Sequence, residues 1–375
     1  MRILVIGGYG NFGKRLVDSL LAYYDYEVYV AGRSQDKAEN FIQYALKKYS
    51  KKMSFIHLDV LSPNLKERLV SINPELVVNA SGPFQLQREK NKYFVARACI
   101  AAKCHYVDFA DDRAFVANFS AELDKEAKEN GVMLVSGAST VPGLSTAVID
   151  EFLPNFSKLE TIKYGISPGN QTERGEATVG SILSYTGKSF NTLTNNRKQA
   201  IYGWQNLNRY DFGSPLGKRW MSNCDIPDID LLPILYPSIK SVHFQAGLEV
   251  TLLHVGLWFL SWFSRAGLIK NLARYTKILT RMSEWFIQFG TDSGGMYVEL
   301  NGSDKNGQPK KINWQLVAEN GVGINVPTIP SELIIKRLAN GKAVPGATPC
   351  IGLFSLSEFF DVAERWGIYQ TRGDL

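Results

Sequence analysis

A short apolar run, Ile3-Leu-Val-Ile6, leads directly into Gly7, Gly8, Gly10 and Gly13. From Asn11 onward Phe12, Leu16, Leu20 and Leu21 recur at helical spacing, and Val28 to Ala31 reads as a second short strand. Few folds accept such an opening. A strand buried on both faces, a glycine turn, a helix and a second strand make the first β-α-β unit of a doubly wound parallel sheet with a dinucleotide-binding turn. Gly8 is expected to take a turn that a side chain forbids, Gly10 to let a pyrophosphate approach the backbone, and Gly13 to let the helix pack on the strand. Tyr9, Asn11 and Phe12 complete the turn, where the helix N-terminus offers free N–H groups and a partial positive charge to phosphates.

The end of the second strand separates the two pyridine nucleotides. An NAD site places an acid there for the ribose 2′-hydroxyl. This chain places Arg33 and Ser34 there, and the first acid, Asp36, comes too late. A guanidinium and a hydroxyl suit a 2′-phosphate, so the reading is NADP, with NAD the less favoured cofactor.

The alternation then continues. Residues 35–49 read as a helix and 53–58 as a strand that exits at Asp59 and Val60, with Asp59 either an adenine contact or a turn cap. Residues 75–79 form a further buried strand whose exit is Ala80, Ser81, Gly82, Pro83 and Phe84. Ligands of open α/β sheets lie outside the carboxyl ends of the strands, so this small-residue loop is placed beside the cofactor, with Phe84 as a wall for the nicotinamide. A helix over 86–102, a strand over 104–108, a helix over 113–130 and a strand over 132–135 complete six strands. The Gly/Ser/Pro cluster at 137–143 marks a domain crossing. A chain of 375 residues suits two domains. The expected organisation is a Rossmann domain over 1–140, a second α/β (α+β) domain over 141–330, and a segment over 331–375 that packs back toward the first. A hairpin is expected from strands near 295–300 and 311–318, and 190–245 yields no clear order of elements.

Composition narrows the function. The net charge of +6 is spread along the chain, without zinc-finger spacing or a basic run, which argues against nucleic acid. Cys99, Cys104, Cys224 and Cys350 show neither metal-ligand spacing nor a disulfide framework, so no metal is expected and a reducing cytosol is. Met1 opens almost directly onto the first strand, and a cytoplasmic location without a signal peptide is expected. Residues 252–263 are mostly apolar, with Trp258, Phe259, Trp262 and Phe263. As a helix this run spans only ~18 Å against the ~30 Å of a bilayer core, too short to cross it. Arg265, Lys270, Arg274, Lys277 and Arg281 follow, interleaved with apolar residues at helical spacing. The segment over 252–285 fits a helix packed in its own domain, a homodimer face or substrate lid, or a peripheral membrane contact.

The opening Gly-Gly-Tyr-Gly-Asn-Phe-Gly, the strand end at Arg33, the loop 79–84, Tyr106-Val-Asp108, the cluster 137–143 and the late Thr348-Pro-Cys-Ile-Gly352 together resemble the saccharopine dehydrogenase-like oxidoreductases. The resemblance covers about 1–150 and recurs near the C-terminus. It implies an N-terminal NAD(P)-binding Rossmann domain joined to an inserted α/β domain, with a returning C-terminal segment. The aromatic 252–263 stretch points toward a small substrate less polar than an amino-acid adduct.

The reaction class that follows is hydride transfer between NADPH and a C=N, C=O or activated C=C carbon. No catalytic acid is evident. Tyr106 is a weak candidate because its strand ends near the cofactor, the alternative being a ring packed beneath the turn, and His243 is the most plausible imidazole of the second domain, the alternative being a structural histidine. The alternative is a membrane-peripheral or regulatory protein that binds NADP without turnover.

Overall fold

A computed structural model describes residues 1–49, 53–82, 84–86 and 92–374. The chain divides into two compact units, 1–144 with 325–354, and 145–324 with 355–375.

The first unit is built on a seven-stranded sheet. Its strands run in the order Gly346–Pro349, Met133–Ser136, His105–Asp108, Leu76–Asn79, Arg2–Ile6, Glu27–Gly32, Ser54–His57. All neighbours are parallel. The chain reverses its direction of growth between Arg2–Ile6 and Leu76–Asn79, which is the switch point where such sheets hold ligands. The apolar runs explain the strands: Leu76–Asn79 and Met133–Ser136 are buried at every position, as two-sided cover requires. Helix Asn11–Tyr23 buries Leu16, Val17, Leu20 and Leu21 in the same core as Ile3, Val5 and Val28.

The seventh strand comes from late in the chain. Thr348 and Pro349 pair beside Val135 and Ser136, and the Cys350 N–H donates to the Ser136 carbonyl at 2.8 Å. Helix Ile329–Ala339 belongs to this unit too. Its Glu332 is buried and accepts from Ser19 Oγ at 2.5 Å and Tyr24 Oη at 2.7 Å. The return to the first unit therefore covers 325–354, and the expectation that all of 331–375 packs there is corrected. Residues 355–375 belong to the second unit, where Tyr369–Asp374 extends the sheet beside Pro309–Ala318.

The second unit holds a mixed seven-stranded sheet in the order Asn208–Asp211, Lys218–Asn223, Ser241–Ala246, Lys158–Ser167, Gly294–Ser303, Pro309–Ala318, Tyr369–Asp374. Ile162, Tyr164, Val298, Leu300, Ile312 and Trp314 are buried along it. The expected hairpin is Gly294–Ser303 paired with Pro309–Ala318. Among the described residues no helix is long and apolar enough to cross a membrane.

Candidate nucleotide site

Three strand ends meet at the switch point, with Ile6 opposite both Ala31 and Asn79. The turn after Ile6 is fixed by its own backbone. Gly7 N donates to Ala31 O at 2.7 Å, Gly8 N to Val5 O at 3.2 Å and Gly10 N to Gly7 O at 2.8 Å. The left-handed residue of the turn is Gly7, with φ +74°. Gly8 is small for packing: a Cβ there would stand 3.0 Å from Val5 O and 3.1 Å from a Val30 methyl. Gly13 keeps its expected role, since its Cβ would stand 2.3 Å from Gly7 O and 2.8 Å from Gly8 Cα.

Helix Asn11–Tyr23 begins at Gly10 without a side-chain cap and without an acid in its first turn. The first N–H groups of a helix have no partner within it. Asn11 Oδ1 is also buried without a hydrogen bond. An uncapped helix N-terminus above a cradle that Cβ atoms would fill fits a diphosphate, for which it supplies N–H donors and a favourable dipole.

Tyr9 ties this cradle to the next loop. Its hydroxyl accepts the Ser34 N–H at 3.0 Å, and its ring tilts against Phe55. With the Tyr9 ring in this place there is no room for a side chain at Gly32, where a Cβ would stand 2.3 Å from Tyr9 Oη. Gly32 was missed as a site residue, although its place before Arg33 carried the signal. Arg33 is exposed and Ser34 half-buried. Asp36 lies in the first turn of helix Gln35–Tyr49, where its charge complements the helix dipole. Asp59 acts locally, its Oδ1 accepting the Leu61 N–H at 3.0 Å, and Val60 is half-buried beside it.

The loop after Asn79 closes on the glycine turn: a Cβ on Gly7 would stand 3.0 Å from both the carbonyl carbon and oxygen of Ala80. Asn79 shapes the loop, accepting from Ser81 N at 3.1 Å and Ser81 Oγ at 2.5 Å and donating to Tyr106 Oη at 3.2 Å. Gly82 is exposed, and Pro83 lies outside the described residues. Phe84, expected to wall the nicotinamide, is 4% exposed and packs its ring on Phe115 at 5.2 Å. Burying the ring among aromatics gains more than leaving it in an open cleft. Phe12 stacks instead on Phe109, at 6.3 Å.

For Tyr106 the structure favours the packed ring over the proton donor. It is 1% exposed and stacks against Phe119, and burial drives its phenol well above the usual value. Such a group neither meets solvent nor gives up a proton readily. Below it Asp108 is fully buried, with a pKa pushed up to about 6 by desolvation. Its Oδ1 accepts from Ala110 N, Ser136 Oγ and Gly137 N at 2.8–3.0 Å, joining the ends of adjacent strands. Its Oδ2 makes no hydrogen bond of good geometry, although the Tyr106 hydroxyl is close enough to ease the charge. In the second unit His243 lies opposite Lys163 in the ladder, and burial and that cation lower its pKa. Among the described residues no group of His, Cys, Asp and Glu is placed to hold a metal ion.

This arrangement defines the class: a Rossmann-type dinucleotide-binding domain. Residues 3–135, within the first unit, match the family described as the saccharopine dehydrogenase NADP binding domain. A lipid droplet localized protein of Caenorhabditis elegans is 28% identical over 150 residues, 37% of this chain and 34% of that protein. The match thus spans about a third of that relative's length. Apo saccharopine dehydrogenase (L-Glu forming) from Saccharomyces cerevisiae is similar in structure with a TM-score of 0.67 at 16% identity, covering 100% of this chain and 99% of that one. A meso-DAPDH mutant with DAP from Clostridium tetani aligns at 15% identity and a TM-score of 0.46, covering 97% and 98%. At such identities the likeness to yeast saccharopine dehydrogenase is one of fold.

Proposed function

We propose that this protein is an NADPH-dependent oxidoreductase acting on a C=N, C=O or activated C=C carbon of a small, largely apolar molecule. One observation carries the reading: the uncapped start of helix Asn11–Tyr23 above the Gly7–Gly13 cradle, at the switch point of the sheet. The backbone at Gly7, Gly8, Gly10, Asn11, Phe12 and Gly13 would hold a diphosphate, and Arg33 with Ser34 a 2′-phosphate. Ala80, Ser81 and Gly82 would meet the nicotinamide ribose, and Asp59 with Val60 the adenine end. Bound NADPH supplies a hydride; the chain fixes the nucleotide and narrows the space around it. The match to an NADP binding domain supports the cofactor. The lipid droplet localization of the C. elegans relative supports a lipid-associated setting.

Titration of the purified chain with NADPH and NADH, followed by nucleotide fluorescence, tests this. NADPH binds more tightly. Arg33→Ala weakens NADPH about tenfold, the scale of a lost charge-assisted hydrogen bond, and leaves NADH unchanged. Equal affinity for the two nucleotides in the native chain would overturn the 2′-phosphate assignment.

A second reading, nucleotide binding without turnover, draws on the withdrawal of Tyr106 into the core. Consumption of NADPH with a panel of apolar enones, imines and ketones separates the two.

A further inference from the structure

Helix Thr251–Arg265 is built the wrong way round for a helix facing water. The residues it buries are His254 and Ser261. Leu252, Phe259, Trp262 and Phe263, spaced to lie along one stripe, are 44–63% exposed. The polar side is fully committed to its own unit. His254 Nε2 bonds Ser222 Oγ at 2.9 Å, its Nδ1 accepts the Leu248 N–H at 3.1 Å, and its carbonyl accepts the Trp204 indole N–H at 3.2 Å. At the turn beside it a Cβ on Gly187 would stand 2.3 Å from Ser261 O, so the inner side is closely seated.

Helix Thr276–Glu284 repeats the inversion. It buries Thr280, while Ile278, Met282 and the following Trp285, at helical spacing, are 43–67% exposed. Leu268, Tyr275, Ile287 and Phe289 are exposed on the connecting and following segments. Of the nineteen large apolar side chains that stand exposed among the described residues, eleven fall within 252–289. Such concentration marks an interaction surface rather than ordinary scatter.

The charges around these residues identify the partner. Between Glu249 and Asp292 the chain carries Arg265, Lys270, Arg274, Lys277 and Arg281 against the single acid Glu284, and all six are exposed. A two-fold contact with a second copy would set this basic patch against itself. A phospholipid layer with anionic headgroups meets both features, taking Trp and Phe at the interface and Lys and Arg at the headgroups.

We infer that 251–289 forms a peripheral docking surface for an anionic phospholipid layer, with the outer stripes of the two helices lying in the interface. The inference rests on the second unit alone and is independent of nucleotide binding.

The test is flotation of the full chain with phosphatidylcholine vesicles, with and without phosphatidylserine. The native chain floats with the serine-containing vesicles, and added salt reduces the bound fraction. The variant F259S/W262S/F263S lowers binding about tenfold or more, and K277Q/R281Q removes the preference for phosphatidylserine. Light scattering and NADPH titration accompany each sample, so a folded nucleotide site is read separately from vesicle binding. Absence of flotation by a folded native chain overturns the inference. So does concentration-dependent dimerisation that the F259S/W262S/F263S variant abolishes while vesicle binding persists unchanged.

Discussion

The phenol oxygen of Tyr9, in the glycine turn, accepts the backbone N–H of Ser34, in the loop after the second strand, at 3.0 Å. Two loops proposed to hold opposite ends of an adenosine diphosphate are thus fastened to each other by a side chain rather than by neighbouring backbone. A preformed pair of loops loses less freedom on binding than two independent ones.

Tyr9→Phe keeps the ring over Gly32 and removes only the acceptor. The Ser34 N–H then lacks its partner, at a cost of about 1 kcal/mol or a factor of about five. NADPH affinity falls by that factor because the loop bearing Arg33 is no longer fixed. NADH affinity changes less. Parallel calorimetric titrations of the two nucleotides check the difference.

The glycines of the site are not equivalent. Alanine at Gly13 would set a methyl 2.3 Å from one backbone oxygen and 2.8 Å from a Cα, atoms that cannot turn aside. Alanine at Gly82 meets nothing nearer than 3.7 Å. Gly13→Ala therefore displaces the helix from the turn and weakens NADPH by about tenfold or more, as expected when the anion-binding N–H groups are misplaced. Gly82→Ala leaves the turn in place, so its loss of NADPH affinity is smaller, about threefold, and comes from contact with the nicotinamide ribose alone. Fluorescence titration of the two variants side by side measures the contrast.

The nucleotide unit was legible because its signals are local. Strands buried on both faces read as unbroken apolar runs, and the glycine turn follows one of them directly. The seventh strand was not: Gly346-Ala-Thr-Pro349 has little intrinsic preference for a strand and becomes one by pairing with Met133–Ser136. The hairpin Ser189–Thr194 with Arg197–Tyr202 was likewise obscure, since most of its side chains are exposed or half-buried and give no two-sided pattern. Position in the chain does not say which way a ring turns, and so Phe84 reads as a cleft residue although it belongs to the core, while for Tyr106 the sequence leaves open a proton donor or a ring packed beneath the turn, where it lies. Helical periodicity located the apolar stripe of 252–263 but not its direction, which tertiary contacts to His254 and Ser261 decide.

Asp228 makes stability fall as pH rises. It is fully buried, accepts from Ser145 Oγ, and burial raises its pKa to about 7. Unfolding returns the carboxyl to its ordinary value of 3.8. Between these values the folded state binds the extra proton, so the carboxyl costs nothing at pH 3.8 and progressively more toward pH 7, reaching about 4 kcal/mol. Asp228→Asn keeps an acceptor for Ser145 and cannot ionise. Relative to the native chain the variant gains about 4 kcal/mol between pH 4 and pH 8. Urea unfolding at the two pH values measures the gain, and a difference that does not change with pH removes the assigned cause.

His254 works with the opposite sign. Its Nδ1 accepts the Leu248 N–H, so the neutral ring carries its proton on Nε2 toward Ser222 Oγ. A second proton would set Nδ1–H against another donor inside a site from which water is excluded, and burial lowers the pKa to about 4. The ordinary value of an imidazole is 6.5, so the unfolded chain binds the extra proton first as pH falls. The stability His254 contributes is complete above pH 6.5 and is lost progressively down to pH 4, by about 3 kcal/mol. The seat of helix Thr251–Arg265 weakens over the same window, because this ring and its carbonyl hold the helix to Ser222, Leu248 and Trp204. Hydrogen exchange at pH 7 and pH 5, corrected for intrinsic rates, shows amides 251–265 losing protection more steeply than those of strand Lys158–Ser167. In His254→Gln, which cannot take up the proton, that extra steepness disappears even though the helix is less stable at both pH values.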